Sequence, residues 1–182
     1  PQAKGRGGKG GEGIEVGHLS RFHLLAYMSP NFILIQLIQE VAMRVRCVDE
    51  RFLIRLEDGE EVMASLRSWA AEQKVNFAVL WAIGAMRRAT LGYFDTIAAV
   101  YHPIPVEEQV EVLSMIGNVA LGEDGAPIVH AHVVLGRSDG STVGGHLIEG
   151  HVFPMLEVVA RAFPEPVYRR ADPATGLTLW DL

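Results

Sequence analysis

Two runs rich in β-branched residues, IVHAHVVLG (128–136) and STVGGHLIEGHVF (141–153), are separated only by a short link carrying Ser138-Asp139-Gly140. Runs joined this closely around turn residues pair as an antiparallel hairpin. The hairpin also carries three of the chain's seven histidines, His130, His132 and His146. Alternation along a strand puts His130 and His132 on one face. The turn decides whether His146 joins them. A two-residue Asp139-Gly140 turn sets His146 opposite Val133, on the wrong face. A three-residue Ser138-Asp139-Gly140 loop with left-handed Gly140 sets it opposite His132. A bulge at Gly144-Gly145 restores that face from the shorter turn.

Three neutral imidazoles with an open fourth position suit a divalent metal, Zn²⁺ first and also Ni²⁺, Cu²⁺ or Fe²⁺. The competing reading is three histidines that hydrogen-bond or stack within a sheet. His151 falls on the opposite side of a regular strand and stands outside the set. His102, between Tyr101 and Pro103, reads as a solvated loop residue. Other histidine-pair sites fail on spacing. A cupin needs Glu where Leu135 or Gly136 stands, and a binuclear hydrolase needs Asp where Val134 stands. An amidohydrolase barrel needs a much longer chain, and GGHLIEG lacks the Gly-Lys-Ser/Thr ending of a phosphate loop.

The remaining strands follow one another with few helices between them. RFLIRLE alternates as a strand, Asp58-Gly59 turns, and EEVMASLRSWAAEQK forms a helix with Val62, Leu66, Trp69 and Ala70 on one face. FAVLWAIGAM, RATLGYFD and EEQVEVLSMIGNVAL are further strands. MLEVVARAF after Pro154 reads as a short helix packed by Leu156, Val159 and Ala160. VYRRADPATGLTLWDL closes as a strand and turn. The fold class is α+β, a mainly antiparallel sheet flanked by short helices.

Residues 1–42 read as an N-terminal extension and 43–182 as one domain. Residues 1–13, PQAKGRGGKGGEG, are Gly-rich and disordered by composition. Ser29 as N-cap and Pro30 at the first helical position start a short helix with Leu34, Leu37, Ile38 and Val41 on one face. Its apolar runs fall short of the ~20 residues that span a bilayer. The single Cys47 excludes an internal disulfide and suits a reducing, cytoplasmic setting. The formal charge is −6, from 16 Lys and Arg against 22 Asp and Glu. Residues 1–42 hold four of those bases and three of those acids, leaving −7 for the domain. That balance disfavours non-specific nucleic-acid binding by the whole domain.

Taken in order, LEDGEE, AIGAM, LGYFD, VEVLSMIGNVAL, HAHVVLGRSDGSTVGGHLIEGHV and FPMLEV resemble the plants-and-prokaryotes-conserved (PPC) domain, from about Arg44 to about Arg170. The resemblance implies an antiparallel α+β domain assembled as a homotrimer. It also implies a metal site at His130, His132 and His146. Plant members join the domain to AT-hooks in nuclear DNA-binding proteins, and microbial members carry a provisional DNA-binding label. KGRGGKGG lacks the second Arg and the Pro of an AT-hook, which weighs against direct DNA contact here.

Three functions follow as expectations: an assembly and regulatory module, a small metalloenzyme, or a DNA binder. For the enzyme, Glu149 and Glu111 are the nearest carboxylates in sequence able to act on a metal-bound water. For the DNA binder, the basic patch would combine Arg87, Arg88, Arg169 and Arg170.

Overall fold

The computed structural model describes residues 22–29, 32–39, 43–49 and 51–182. The Gly-rich segment 1–13 lies outside them, as do Pro30 and Val41 of the expected N-terminal helix. Where that helix was expected, β1 (Phe22–Ser29) and β2 (Phe32–Gln39) pair antiparallel, Tyr27 opposite Leu34. The β-branched Ile33, Ile35 and Ile38 favour this outcome over a helix.

The domain proper is a seven-stranded antiparallel sheet with a single helix among the described residues. In chain order its elements are β3 (Arg44–Val48), β4 (Arg51–Glu57), α1 (Val62–Glu72), β5 (Phe77–Asp95), β6 (Val100–Val106), β7 (Val110–Leu121), β8 (Pro127–Gly136) and β9 (Thr142–Phe163). A separate small hairpin, β10 (Arg169–Ala171) with β11 (Thr178–Trp180), follows. The expected flanking helices therefore reduce to α1. MLEVVARAF is not a helix but the second half of β9, and Pro154 lies inside the strand. Its burial has period two: Leu156, Val158 and Ala160 point inward, while Glu157, Val159 and Arg161 point outward.

Helix α1 starts where Glu61 caps it, accepting hydrogen bonds from the amides of Met63 and Ala64 at 3.0 and 2.7 Å. Val62, Met63, Leu66, Trp69 and Ala70 are buried, and the helix packs on β8 and β9. Phe52 of β4 meets Trp69 edge-on at 5.2 Å. Inside the sheet the core runs through Leu80, Met86, Leu91, Met115, Leu135, Leu147 and Leu156, all fully buried.

Two long strands make the sheet curl back on itself. β5 pairs with β7 and with β9, β7 with β8, and β8 with β9, so these four strands form a closed circuit. The turn of direction in β5 falls at Gly84, whose φ is +147°. A Cβ there would stand 2.5 Å from the Met155 carbonyl oxygen. Only glycine meets both demands.

Gly84→Ala should therefore lower unfolding stability by about 1–3 kcal/mol from backbone strain alone, and more from the clash. Urea denaturation of the two proteins checks this; an unchanged midpoint would contradict the role given to the bend.

Candidate metal centre

The β8–β9 connection is the three-residue loop. Gly140 has φ +82°, and its amide donates to the Arg137 carbonyl at 3.0 Å. The Arg137 amide donates to the Ser141 carbonyl at 2.8 Å. Asp139 braces the loop by accepting from the Ser141 amide at 2.8 Å. This sets His132 directly opposite His146. On β8 the alternate residues Val129, Ala131, Val133 and Leu135 fill the core, so His130 and His132 project from the other face. Gly145, just before His146, lets β9 pass close to β5; a Cβ there would lie 2.9 Å from the Gly92 carbonyl oxygen.

The three rings meet. Their centroids lie 5.2 Å (His130–His132), 5.0 Å (His130–His146) and 5.4 Å (His132–His146) apart. One nitrogen from each lies within 4.8 Å of the others. Zinc holds imidazole nitrogens at about 2.0–2.1 Å in tetrahedral sites, which places the donors about 3.4 Å apart, so small side-chain rotations close the set. His132 is exposed, and His130 and His146 are half-buried. The His146 Nδ1 is buried and has no hydrogen-bond partner, as an unused donor site would be.

Two further residues reach the cluster. Tyr101 of β6 lies against the His146 ring at 5.0 Å. Gly92, opposite His146 on β5, leaves it room, since a Cβ would sit 2.8 Å from the Tyr101 Cδ1. Arg169 of β10, expected in an exposed basic patch, is instead 6% exposed. Its Nη1 donates to the Thr178 carbonyl at 2.7 Å and its Nη2 to the Asn118 Oδ1 at 2.9 Å. Nη2 also stands 3.3 Å from the His130 Nδ1.

This setting favours the uncharged form of His130 and His146. Burial, then the Arg169 cation, then the other two histidines push the His130 pKa from 6.5 down to about 4. Burial, His132 and Arg169 lower that of His146. Burial likewise lowers that of Arg169. Neutral imidazole is the form that binds a metal. Beside the cluster a hollow of about 280 Å³ is lined by His132, Ser114, Ile116, Val134 and Gly144.

The other sequence candidates are placed elsewhere. Glu149 is on β9, not in a turn, and its carboxylate engages His151 and Arg88. Glu111 lies opposite Gly136, at the far end of β8 from His130. Among the described residues no carboxylate joins the three histidines. His151 stands apart from them, beside Arg88 and Glu149. The regular alternation expected to turn it to the opposite face is broken by a register shift between Leu147 and Glu149. His102 is exposed but lies in β6 rather than a loop, 3.4 Å from Asp95. The four arginines form no patch: Arg87 pairs with Asp58, Arg88 with Glu149 and Arg170 with Asp181, while Arg169 is buried.

Residues 43–164 match the family model of the Plants and Prokaryotes Conserved (PCC) domain. A metal-containing protein from Archaeoglobus fulgidus is 36% identical, with a TM-score of 0.67 over 73% of this chain and 94% of its own. A candidate DNA-binding protein from Ralstonia eutropha JMP134 is 27% identical, with a TM-score of 0.71 over 76% and 95%. The bifunctional protein GlmU of a Synechococcus strain is 31% identical over 126 residues, 68% of this chain. The chain spans only 19% of that relative's length.

In metal-free protein His130 should titrate near pH 4. Its folded pKa is depressed, so the unfolded chain binds more protons between about pH 6.5 and 4, and the His130 contribution to stability fades as pH falls through that window. NMR titration of the imidazole protons reads this; a midpoint near 6.5 would contradict the electrostatic environment described.

Proposed function

Because the chain belongs to the Plants and Prokaryotes Conserved domain family, we propose that it is a cytoplasmic, homotrimeric association module whose His130, His132 and His146 hold a divalent metal ion. The observation that carries the metal reading is the convergence of three imidazoles on one sheet face. Zinc suits an all-nitrogen set of this kind. The metal-containing relative from Archaeoglobus fulgidus supports the same reading. When bound, such an ion ties β8 to β9 and offers Lewis acidity at an open position. The chain's own residues favour the neutral form of His130 and His146, pack Tyr101 against the His146 ring, and hold the His130 ring through Arg169.

Association is supported by an apolar row across the outer face. Leu53, Val159, Trp81 and Ile116 are successive cross-strand partners on β4, β9, β5 and β7, and all are exposed. The row ends at His132. Apolar surface arranged this way marks an interface. No helix of the described residues is long and apolar enough to cross a membrane. A small metalloenzyme acting on metal-bound water is the second reading, favoured by the hollow beside His132; it lacks the nearby carboxylate base first sought at Glu149 or Glu111. DNA association is supported by the name of the Ralstonia relative. The pairing of Arg87, Arg88 and Arg170 with acids weighs against those residues as the contact surface.

Elemental analysis of untagged, zinc-reconstituted protein should find about one ion per chain. The His130→Ala/His132→Ala double variant should lose it, and no bound metal in the wild type would return the histidines to a packing role. Sedimentation should give about three times the 19.9 kDa chain mass. Trp81→Glu should shift that mass toward one chain, because a charge cannot be buried unpaired in an apolar interface. A monomeric wild type would remove the association reading.

A further inference from the structure

We infer that the three-histidine cluster and Arg169 together form a binding site for a small oxyanion, best fitted by a carboxylate with a short apolar tail. The inference deepens the proposed metal site and rests on it for the open coordination position, but not for the charge of Arg169.

The starting point is an unbalanced buried cation. Arg169 is 6% exposed, and its protein contacts are a carbonyl, an amide oxygen and a ring nitrogen. Among the described residues no carboxylate pairs with it. The chain does not lack acids nearby, since Arg170 next to it takes Asp181 at 2.8 Å. A guanidinium drawn out of water without a counter-charge is costly. Imidazoles, which carry no negative charge, do not offset it, and a divalent ion among them adds positive charge to the same place. What completes the site is an anion. Arg169 retains one unpartnered donor, the buried Nε, while its two terminal nitrogens are already engaged by Thr178, Asn118 and His130.

The supporting scaffold is local to this end of the chain. Arg169 lies on β10, past residue 164 where the family match ends. The β10–β11 hairpin is held to the sheet by the Leu121 amide on the Val167 carbonyl at 2.9 Å and by a bridge between Leu121 and Tyr168. The Asp181 amide on the Tyr168 carbonyl at 2.9 Å extends its own pairing. Its Trp180 ring lies beside the guanidinium at 5.8 Å. On the other side of the cluster, the hollow lined by Ile116, Val134 and Ser114 next to His132 has about 280 Å³ for an apolar substituent. Inorganic phosphate would leave that space unused.

Calorimetric titration of butyrate and of inorganic phosphate into the full chain, cobalt-loaded and metal-free, tests the inference. Wild type should bind butyrate more tightly than phosphate. Arg169→Gln should weaken butyrate at least ten-fold while elemental analysis finds its cobalt content unchanged. Arg169→Lys, which keeps the charge, should fall between them and serves as the comparison if the glutamine variant does not fold. If no cobalt is taken up but butyrate binding is lost in Arg169→Gln, the metal reading fails and this inference stands. Equal butyrate binding in wild type and both variants overturns it. So does no anion binding by either wild-type form, the result expected if a neighbouring copy's carboxylate already faces Arg169. Tighter binding of phosphate than butyrate overturns the carboxylate assignment.

Discussion

One residue of register between β8 and β9 governs the site. With Gly140 left-handed and the loop three residues long, His146 faces His132. A two-residue turn would rotate every side chain of one strand to the other face, burying His146 or expelling core residues such as Leu147. The core therefore defends the register: Val133, Leu135 and Leu147 are buried on the same pleat that turns the histidines outward. Packing and site geometry thus have a common cause. The loop needs Gly140 for its backbone and the Asp139 carboxylate to accept from the Ser141 amide, and neither touches the imidazoles.

The charge around the cluster works in two directions. Burial and Arg169 keep His130 unprotonated well below neutral pH, which favours metal binding because no proton must be displaced. The same guanidinium repels a dication. Both effects are satisfied together when an anion lies between the two positive centres. The chain as a whole is acidic, at a formal −6, yet the buried Arg169 beside the cluster has no acidic partner among the described residues.

Much of this was legible because strands impose simple rules. Alternation placed His130 and His132 together, and the three-residue loop was one of two turns that the sequence left open. Parity put His151 on the opposite face, but the register shift between Leu147 and Glu149 breaks that count. The helix of MLEVVARAF was misread because Val159 is apolar and exposed, in the row proposed as an interface. That blurred an alternation carried by Leu156, Val158 and Ala160. The N-terminal segment was misread in the same way, its Ser-Pro pair outweighing the β-branched residues of β2. Arg169 could not be found by local reading. It reaches His130 across 39 residues and Asn118 across 51, and in sequence it resembles any surface arginine beside another. Tyr101 is hidden for the same reason: its ring meets His146 only because β6 and β9 both flank β5.

The donor set itself can be measured. X-ray absorption at the zinc edge of the reconstituted protein should give three imidazole nitrogens at about 2.0–2.1 Å and one further light atom. A shell containing sulfur from Cys47, or one of oxygen alone, would contradict a centre built from His130, His132 and His146.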